Sequence, residues 1–180
     1  KKINLGVGIY LNSEGKLPTL SCIKNVIQKT ILSTGGYLPI DGSPDYCQEV
    51  KKLLFGDTNS ILSENTLVTV QSLGGTGALR VGAEMLKTFS PNSTIAISDP
   101  SWENHRSIFE SVGLKVVTYP YYDNSKKKIK HTEFLEKLIT LPEQSTIILH
   151  ACCHNPTGLD LKNSQWNEVL SVMEEKNHIP

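Results

Sequence analysis

The chain has 180 residues, enough for one domain with a buried core, and its 18 Lys and Arg balance 18 Asp and Glu, so a formal charge of zero gives it no electrostatic reason to bind nucleic acid or an anionic membrane. No apolar run approaches the roughly 20 residues that a membrane-spanning helix needs, and Lys1-Lys-Ile-Asn4 is no secretory signal, so a soluble, cytoplasmic protein is expected. Four cysteines (Cys22, Cys47, Cys152, Cys153) lack framework spacing, the last two are vicinal, and reduced thiols fit that compartment.

In chain order, an irregular segment, 1–18, comes first. Two helix-like stretches follow, 19–33 and 43–55, separated by Gly35-Gly36 and a turn around Asp41-Gly42. From Leu67 onward, short β-rich runs alternate with helical periodicity. The spacing predicts strand Leu67–Val70, helix 76–88, strand Ile95–Ile97, helix 103–111, strand Lys115–Tyr119, helix 132–139, strand 146–149 and helix 163–175. Repeated βα order implies a mainly parallel sheet covered on both faces, an α/β fold of three αβα layers. The basic run Lys126-Lys-Lys-Ile-Lys130 has no interleaved aromatics and reads as a solvated turn before a helix. After helix 163–175 the pattern calls for another strand where the chain stops at Pro180, so a truncated domain is expected.

Open parallel sheets bind ligands outside the carboxyl ends of their strands, which directs attention to the strand-to-helix junctions. At one junction, Gly74-Gly-Thr-Gly77 surrounds a hydroxyl with three glycines at a helix start. Spacing alone leaves two readings, a tight turn and a phosphate cradle of backbone N–H groups. The run is neither a Walker A loop nor a dinucleotide fingerprint, since no Gly-Lys-Ser/Thr follows and Arg80 stands in the third glycine's place. At a second junction Trp102 follows Ser98-Asp-Pro100, where an indole can be core or can lie against a flat ligand. At a third, His150-Ala-Cys-Cys-His-Asn-Pro-Thr-Gly158 brings Asn155, with its amide donor and carbonyl acceptor, to a strand mouth. His150, Cys152, Cys153 and His154 are residue types that zinc prefers. Consecutive strand residues point to opposite faces, however, and no second ligand pair exists, so no metal is expected.

These segments, with Ile3-Asn-Leu-Gly-Val-Gly8, Tyr37-Leu-Pro-Ile-Asp-Gly42, Leu53-Leu-Phe-Gly56, Gln71-Ser-Leu-Gly-Gly-Thr-Gly-Ala-Leu-Arg80, Ser98-Asp-Pro-Ser-Trp-Glu-Asn-His105 and Tyr121-Tyr-Asp123, stand in the order of one family over nearly the whole chain. The sequence resembles the N-terminal half of the class I aspartate and aromatic (tyrosine) amino acid aminotransferases, fold-type I enzymes that use pyridoxal 5'-phosphate. The resemblance implies a large cofactor domain beginning at 18–180, with 1–17 belonging to a small domain. It implies cofactor contacts by Gly75 and Thr76 (phosphate), Trp102 (stacking on the ring), Asn155 (ring oxygen O3') and Tyr37, which reaches the phosphate of the neighbouring subunit in a homodimer. Gly8, Trp102 and Asn155 would face the substrate. His105 would support the carboxylate at the ring nitrogen, and His150 would sit beside Asn155. From its residues alone, Tyr37 is an aromatic at a turn. Cis peptide bonds are implied at Asp99-Pro100 and Asn155-Pro156.

The implied reaction moves an amino group between aspartate or aromatic amino acids and 2-oxoglutarate. It needs a Schiff-base lysine, an acid at the ring nitrogen and arginines for the substrate carboxylates. None of the sixteen lysines follows the family's lysine motif, and neither Arg80 nor Arg106 matches the substrate arginines. No catalytic residue is therefore nominated within this chain, and its 180 residues alone are expected to be inactive. The alternative is a non-catalytic truncated or split-gene fragment acting only in binding or assembly.

Overall fold

The computed structural model describes residues 6, 8–30, 36–57, 59–62 and 66–180. Parts of the expected segment 1–18, the end of helix 19–33 and Gly35 lie outside the described residues. The chain divides into two compact units, Lys1–Ile40 and Asp41–Pro180.

In the first unit, Asn12 closes a turn by accepting the N–H groups of Glu14 (3.0 Å) and Lys16 (2.8 Å) on its Oδ1. Helix α1 spans Ser21–Lys29 and buries none of its residues; Ile23, Val26 and Ile27 are exposed. Its described C-terminal end is capped by Thr30, whose hydroxyl donates to the Val26 carbonyl at 2.9 Å.

The second unit opens with α2, Pro44–Phe55, which has Ser43 as its N-cap and proline at its first position. A short 3-10 turn, Ser60–Leu62, follows. Then come α3 (Gly74–Phe89), β1 (Thr94–Asp99), α4 (Glu103–Ser111), β2 (Lys115–Pro120), β3 (Tyr122–Asp123), β4 (Lys128–Ile129), α5 (His131–Thr140), β5 (Thr146–Ile147) and α6 (Asn163–Glu175). The main sheet is parallel in the order β2-β1-β5. Ile179 adds a parallel bridge to Thr146 on the outer side of β5.

Five successive residues of β1 are buried, as expected of a central parallel strand covered on both faces. Ile95 and Ile97 pack with Ala83, Ile108, Phe109 and Leu114 from the side of α3 and α4. Ala96, pointing the other way, packs with Tyr119, Phe134, Leu138, Ile147, Val169 and Met173 from the side of α5 and α6. The alternation along one strand thus separates two cores and makes the three layers. Tyr119 and Phe134 fill the second core as a stacked pair, with ring centroids 4.3 Å apart.

The sequence expectation fails at three places, each for a local reason. Residues 67–70 form no strand, because among the described residues they find no ladder partner. Instead the segment is tied at its end to the turn before α2, Gln71 N–H donating to the Asp41 carbonyl (2.9 Å) and Ser43 N–H to Gln71 Oε1 (2.9 Å). Gly42 makes that approach possible: its φ is +100°, and a Cβ there would run into Gln71. Strand 146–149 shortens to Thr146–Ile147, since the Ile148 carbonyl accepts the Tyr119 hydroxyl at 2.8 Å. The basic run contributes β4 to a small antiparallel hairpin with β3. Asp123 tightens that hairpin by accepting the N–H groups of Ser125 and Lys126 and the Ser125 hydroxyl. Both expected cis bonds, Asp99-Pro100 and Asn155-Pro156, are present. All four cysteines are free thiols, with Cys47 buried and the others exposed. No helix among the described residues is long and apolar enough to cross a membrane.

Candidate functional site

Parallel strands β1 and β5 run side by side, so the segments leaving their carboxyl ends are neighbours. From β1 the chain passes through Pro100 and Ser101 to Trp102, the residue before α4, and His105 follows in the first turn. Ser101 Oγ lies 2.8 Å from His105 Nδ1, and the Trp102 and His105 rings meet edge to face at 5.3 Å. From β5 the chain passes through His150 into the turn that carries Asn155, and it returns at Leu161 to α6. His150 meets His105 edge to face at 5.1 Å and lies 4.4 Å from His154, whose ring stacks on Tyr121 at 3.8 Å and 10°. Five rings, Trp102, His105, His150, His154 and Tyr121, therefore form one continuous line across the strand ends.

Asn155 joins this line through its backbone N–H, which donates to His150 Nδ1 at 3.1 Å. Its side chain is exposed. The bond makes Nδ1 an acceptor, so a neutral His150 carries its proton on Nε2. That atom is buried and has no partner among the described residues.

The array is kept uncharged by its surroundings. Burial lowers the pKa of His105, His150 and His154 below 6.5, the last to about 4. His150 pushes its two neighbours further the same way, whereas the Asp160 carboxylate opposes the shift at His150 and His154. Asp160 is itself held below the usual carboxylate range, because it accepts the N–H groups of His154 and then of Cys153.

Helix α3 supplies a second feature. Gly74, at φ +64°, donates its N–H to the Ser72 carbonyl (3.1 Å), and Gly77 N–H reaches the Leu73 carbonyl (3.2 Å). Between them the N–H groups of Gly75 and Thr76 meet no acceptor among the described residues, at the positive end of a 16-residue helix with no acidic residue in its first turn. A Cβ on Gly75 would meet nothing within 4 Å, so protein packing does not require glycine there. Those are the properties of an anion site.

Of the residues singled out from sequence, the structure joins Trp102, His105, His150 and Asn155 in one contact line and sets Gly75 and Thr76 at the start of α3. Gly8 and Tyr37 belong to the other unit, where both are exposed. Among His150, Cys152, Cys153 and His154, the thiols are exposed, while both nitrogens of His154 are occupied, Nε2 by Ser98 Oγ and Nδ1 by Thr157 Oγ1, each at 2.9 Å. Sequence reasoning treated His154 only as a possible ligand and overlooked Tyr121 and Asp160 as its partners. The available signal was the Thr157 and Asp160 hydrogen-bonding groups just beyond it, which can turn back on a buried histidine.

The family model described as aminotransferase class I and II matches residues 1–180. The chain is 49% identical to an aspartate aminotransferase of Pseudomonas aeruginosa and 41% identical to an aromatic-amino-acid aminotransferase of Escherichia coli, in each case over 99% of this chain and 46% of the relative. Among solved structures it resembles an aromatic-amino-acid aminotransferase from Burkholderia pseudomallei covalently bound to pyridoxal phosphate, with a TM-score of 0.92 and 44% identity over 99% of this chain and 45% of that one. It also resembles a psychrophilic aromatic amino acid aminotransferase from Psychrobacter cocrystallised with aspartic acid, with a TM-score of 0.95 and 41% identity over 99% and 46%. The chain spans about half the length of the curated relatives it matches.

Proposed function

The chain belongs to the class I and II aminotransferases, and from that premise we propose that it is the N-terminal part of an enzyme that moves an amino group between aspartate or aromatic amino acids and 2-oxoglutarate with pyridoxal 5'-phosphate. The observation that carries this reading is the line from Asn155 through His150 and His105 to Trp102 at the ends of β1 and β5.

The residues present fit the cofactor. Its phosphate would be held by the N–H groups of Gly75 and Thr76, which meet no acceptor among the described residues, and its flat ring would lie against Trp102. The exposed Asn155 amide would donate to the ring oxygen, its backbone steadied by His150. His105, held by Ser101, would order the acid at the ring nitrogen. The uncharged imidazoles suit that role, because they add no positive charge to compete with a protonated ring nitrogen. Gly8 would offer its N–H to the substrate carboxylate. Tyr37 would reach the phosphate of the neighbouring subunit in a homodimer. When bound, the cofactor supplies an electron sink for the substrate's α-carbon.

The Schiff-base lysine, the ring-nitrogen acid and the substrate arginines are assigned to the remainder of the enzyme, and a cytoplasmic setting goes with the reading. Residues 1–180 alone therefore transaminate nothing. The second reading, a non-catalytic fragment, is favoured by one observation: no lysine here follows the family motif. An amino-transfer assay separates the two. The whole protein with pyridoxal 5'-phosphate should consume aspartate or tyrosine in the presence of 2-oxoglutarate, and its failure with both donors overturns the enzymatic reading.

A further inference from the structure

Asn155 sits in a turn whose most buried side chain has no part in the reading above. His154 is 2% exposed, and its ring is gripped on every side. One face lies 3.8 Å from Tyr121, whose hydroxyl in turn donates to the Leu159 carbonyl at 2.7 Å. Nε2 meets Ser98 Oγ on β1, and Nδ1 meets Thr157 Oγ1 in the turn. The backbone is held equally closely. Asp160 accepts the N–H groups of Cys153 (2.7 Å) and His154 (2.8 Å), and the His154 carbonyl accepts Gly158 N–H at 2.7 Å.

Neutral His154 carries one ring proton, so one of its nitrogens donates and the other accepts. Ser98 Oγ and Thr157 Oγ1, the latter also accepting the Leu159 N–H at 3.2 Å, are hydroxyls and can meet either arrangement. The site thus uses a flat ring with a donor at one end and an acceptor at the other, spanning from β1 to the turn. Phenylalanine could stack there but bond to neither hydroxyl. Glutamine could donate and accept, but both groups sit at one end. Protonation would turn the accepting nitrogen into a second donor, and burial, which lowers the pKa to about 4, opposes it.

We infer that His154 is a positioning residue: it ties the Cys153–Gly158 turn to β1 and Tyr121 so that the adjacent Asn155 presents its amide from one fixed place at the strand mouth. His154 touches no reacting atom and acts through Asn155. The inference rests on the reading of Asn155 as the amide that faces the cofactor ring.

The test uses the whole protein loaded with pyridoxal 5'-phosphate and the variants Asn155→Ala, Thr157→Val, His154→Phe and the double variant Asn155→Ala/Thr157→Val. The readouts are the pH titration of the cofactor's visible absorption, amide hydrogen exchange across 153–160, and kcat against KM. Thr157→Val keeps the side-chain shape and removes the two hydrogen bonds of Oγ1, with His154 Nδ1 and from the Leu159 N–H. It should move the titration midpoint in the same direction as Asn155→Ala by about half a unit, lower kcat about three- to tenfold with KM little changed, and speed exchange in the turn. His154→Phe should do the same or more. In the Asn155→Ala background, Thr157→Val should shift the midpoint no further. If Asn155→Ala shifts the midpoint while Thr157→Val and His154→Phe titrate as the parent does, the positioning role is overturned and the reading of Asn155 stands. A Thr157→Val shift that persists in full without Asn155 overturns it too. If Asn155→Ala itself shifts nothing, the reading beneath is wrong and the inference falls with it. Failure of both Thr157→Val and His154→Phe to fold would make His154 a folding requirement and likewise overturn the proposal.

Discussion

The backbone N–H of Asn155 donates to Nδ1 of His150 at 3.1 Å, a bond between two residues on either side of a vicinal cysteine pair. It turns the chain back on itself beyond β5 and leaves the Asn155 side chain exposed beside a line of neutral rings.

Replacing Asn155 by alanine in the whole protein should remove a hydrogen bond to the cofactor's ring oxygen and leave the phosphate contacts at Gly75 and Thr76 in place. A hydrogen bond to a charged group is worth roughly 1.5–3 kcal/mol, so the visible titration of the bound cofactor should move upward by about one to two units. Retained cofactor with an unchanged titration would show Asn155 to be misassigned. Loss of the cofactor would show that the ring is anchored differently.

Gly75→Asp separates an anion site from a tight turn. A side chain there meets open space, and a carboxylate in the first turn of α3 suits the helix dipole, so the melting temperature of the cofactor-free protein should hold or rise. The same charge would face the phosphate, and spectroscopic titration with pyridoxal 5'-phosphate should show binding weakened about tenfold or more. Unchanged binding would remove Gly75 from the phosphate site.

The low pKa of His154 carries a pH dependence of stability with a definite sign. Above about pH 6.5 the ring is neutral whether the protein is folded or unfolded. Between 6.5 and about 4 the unfolded chain takes up a proton that the buried ring refuses, so stability declines as pH falls through that window, and the contribution levels off below it. His105 and His150, lowered by burial as well, act in the same direction. Denaturant unfolding at several pH values should therefore give a shallower decline for His154→Gln than for the parent. Parallel declines would show that His154 is not held neutral.

Much of this was legible in the sequence because it rests on local signals. β1, α4 and α6 follow directly from apolar runs and helical periodicity, and Asn155 and Trp102 were singled out because strand ends mark ligand sites in parallel sheets. What was not legible depends on partners distant in the chain. Residues 67–70 read as a strand, yet a strand exists only where a ladder partner does. His154 was given no role once the metal-ligand reading was set aside, because its partners, Ser98 at 56 residues' separation and Tyr121, become neighbours only after folding. The hairpin of β3 and β4 was missed because its turn is built by Asp123, just ahead of a lysine-rich run whose charge suggested only solvation.

Borohydride reduction of the protein with bound pyridoxal 5'-phosphate, followed by peptide mapping, tests most directly the claim that this chain supplies the cofactor's cradle and the rest of the enzyme its covalent anchor. The whole protein should yield one stoichiometric pyridoxyl-lysine outside residues 1–180, and the 180-residue chain alone should yield only scattered, substoichiometric labelling of exposed lysines. A stoichiometric adduct on any one of the sixteen lysines of this chain would contradict the account.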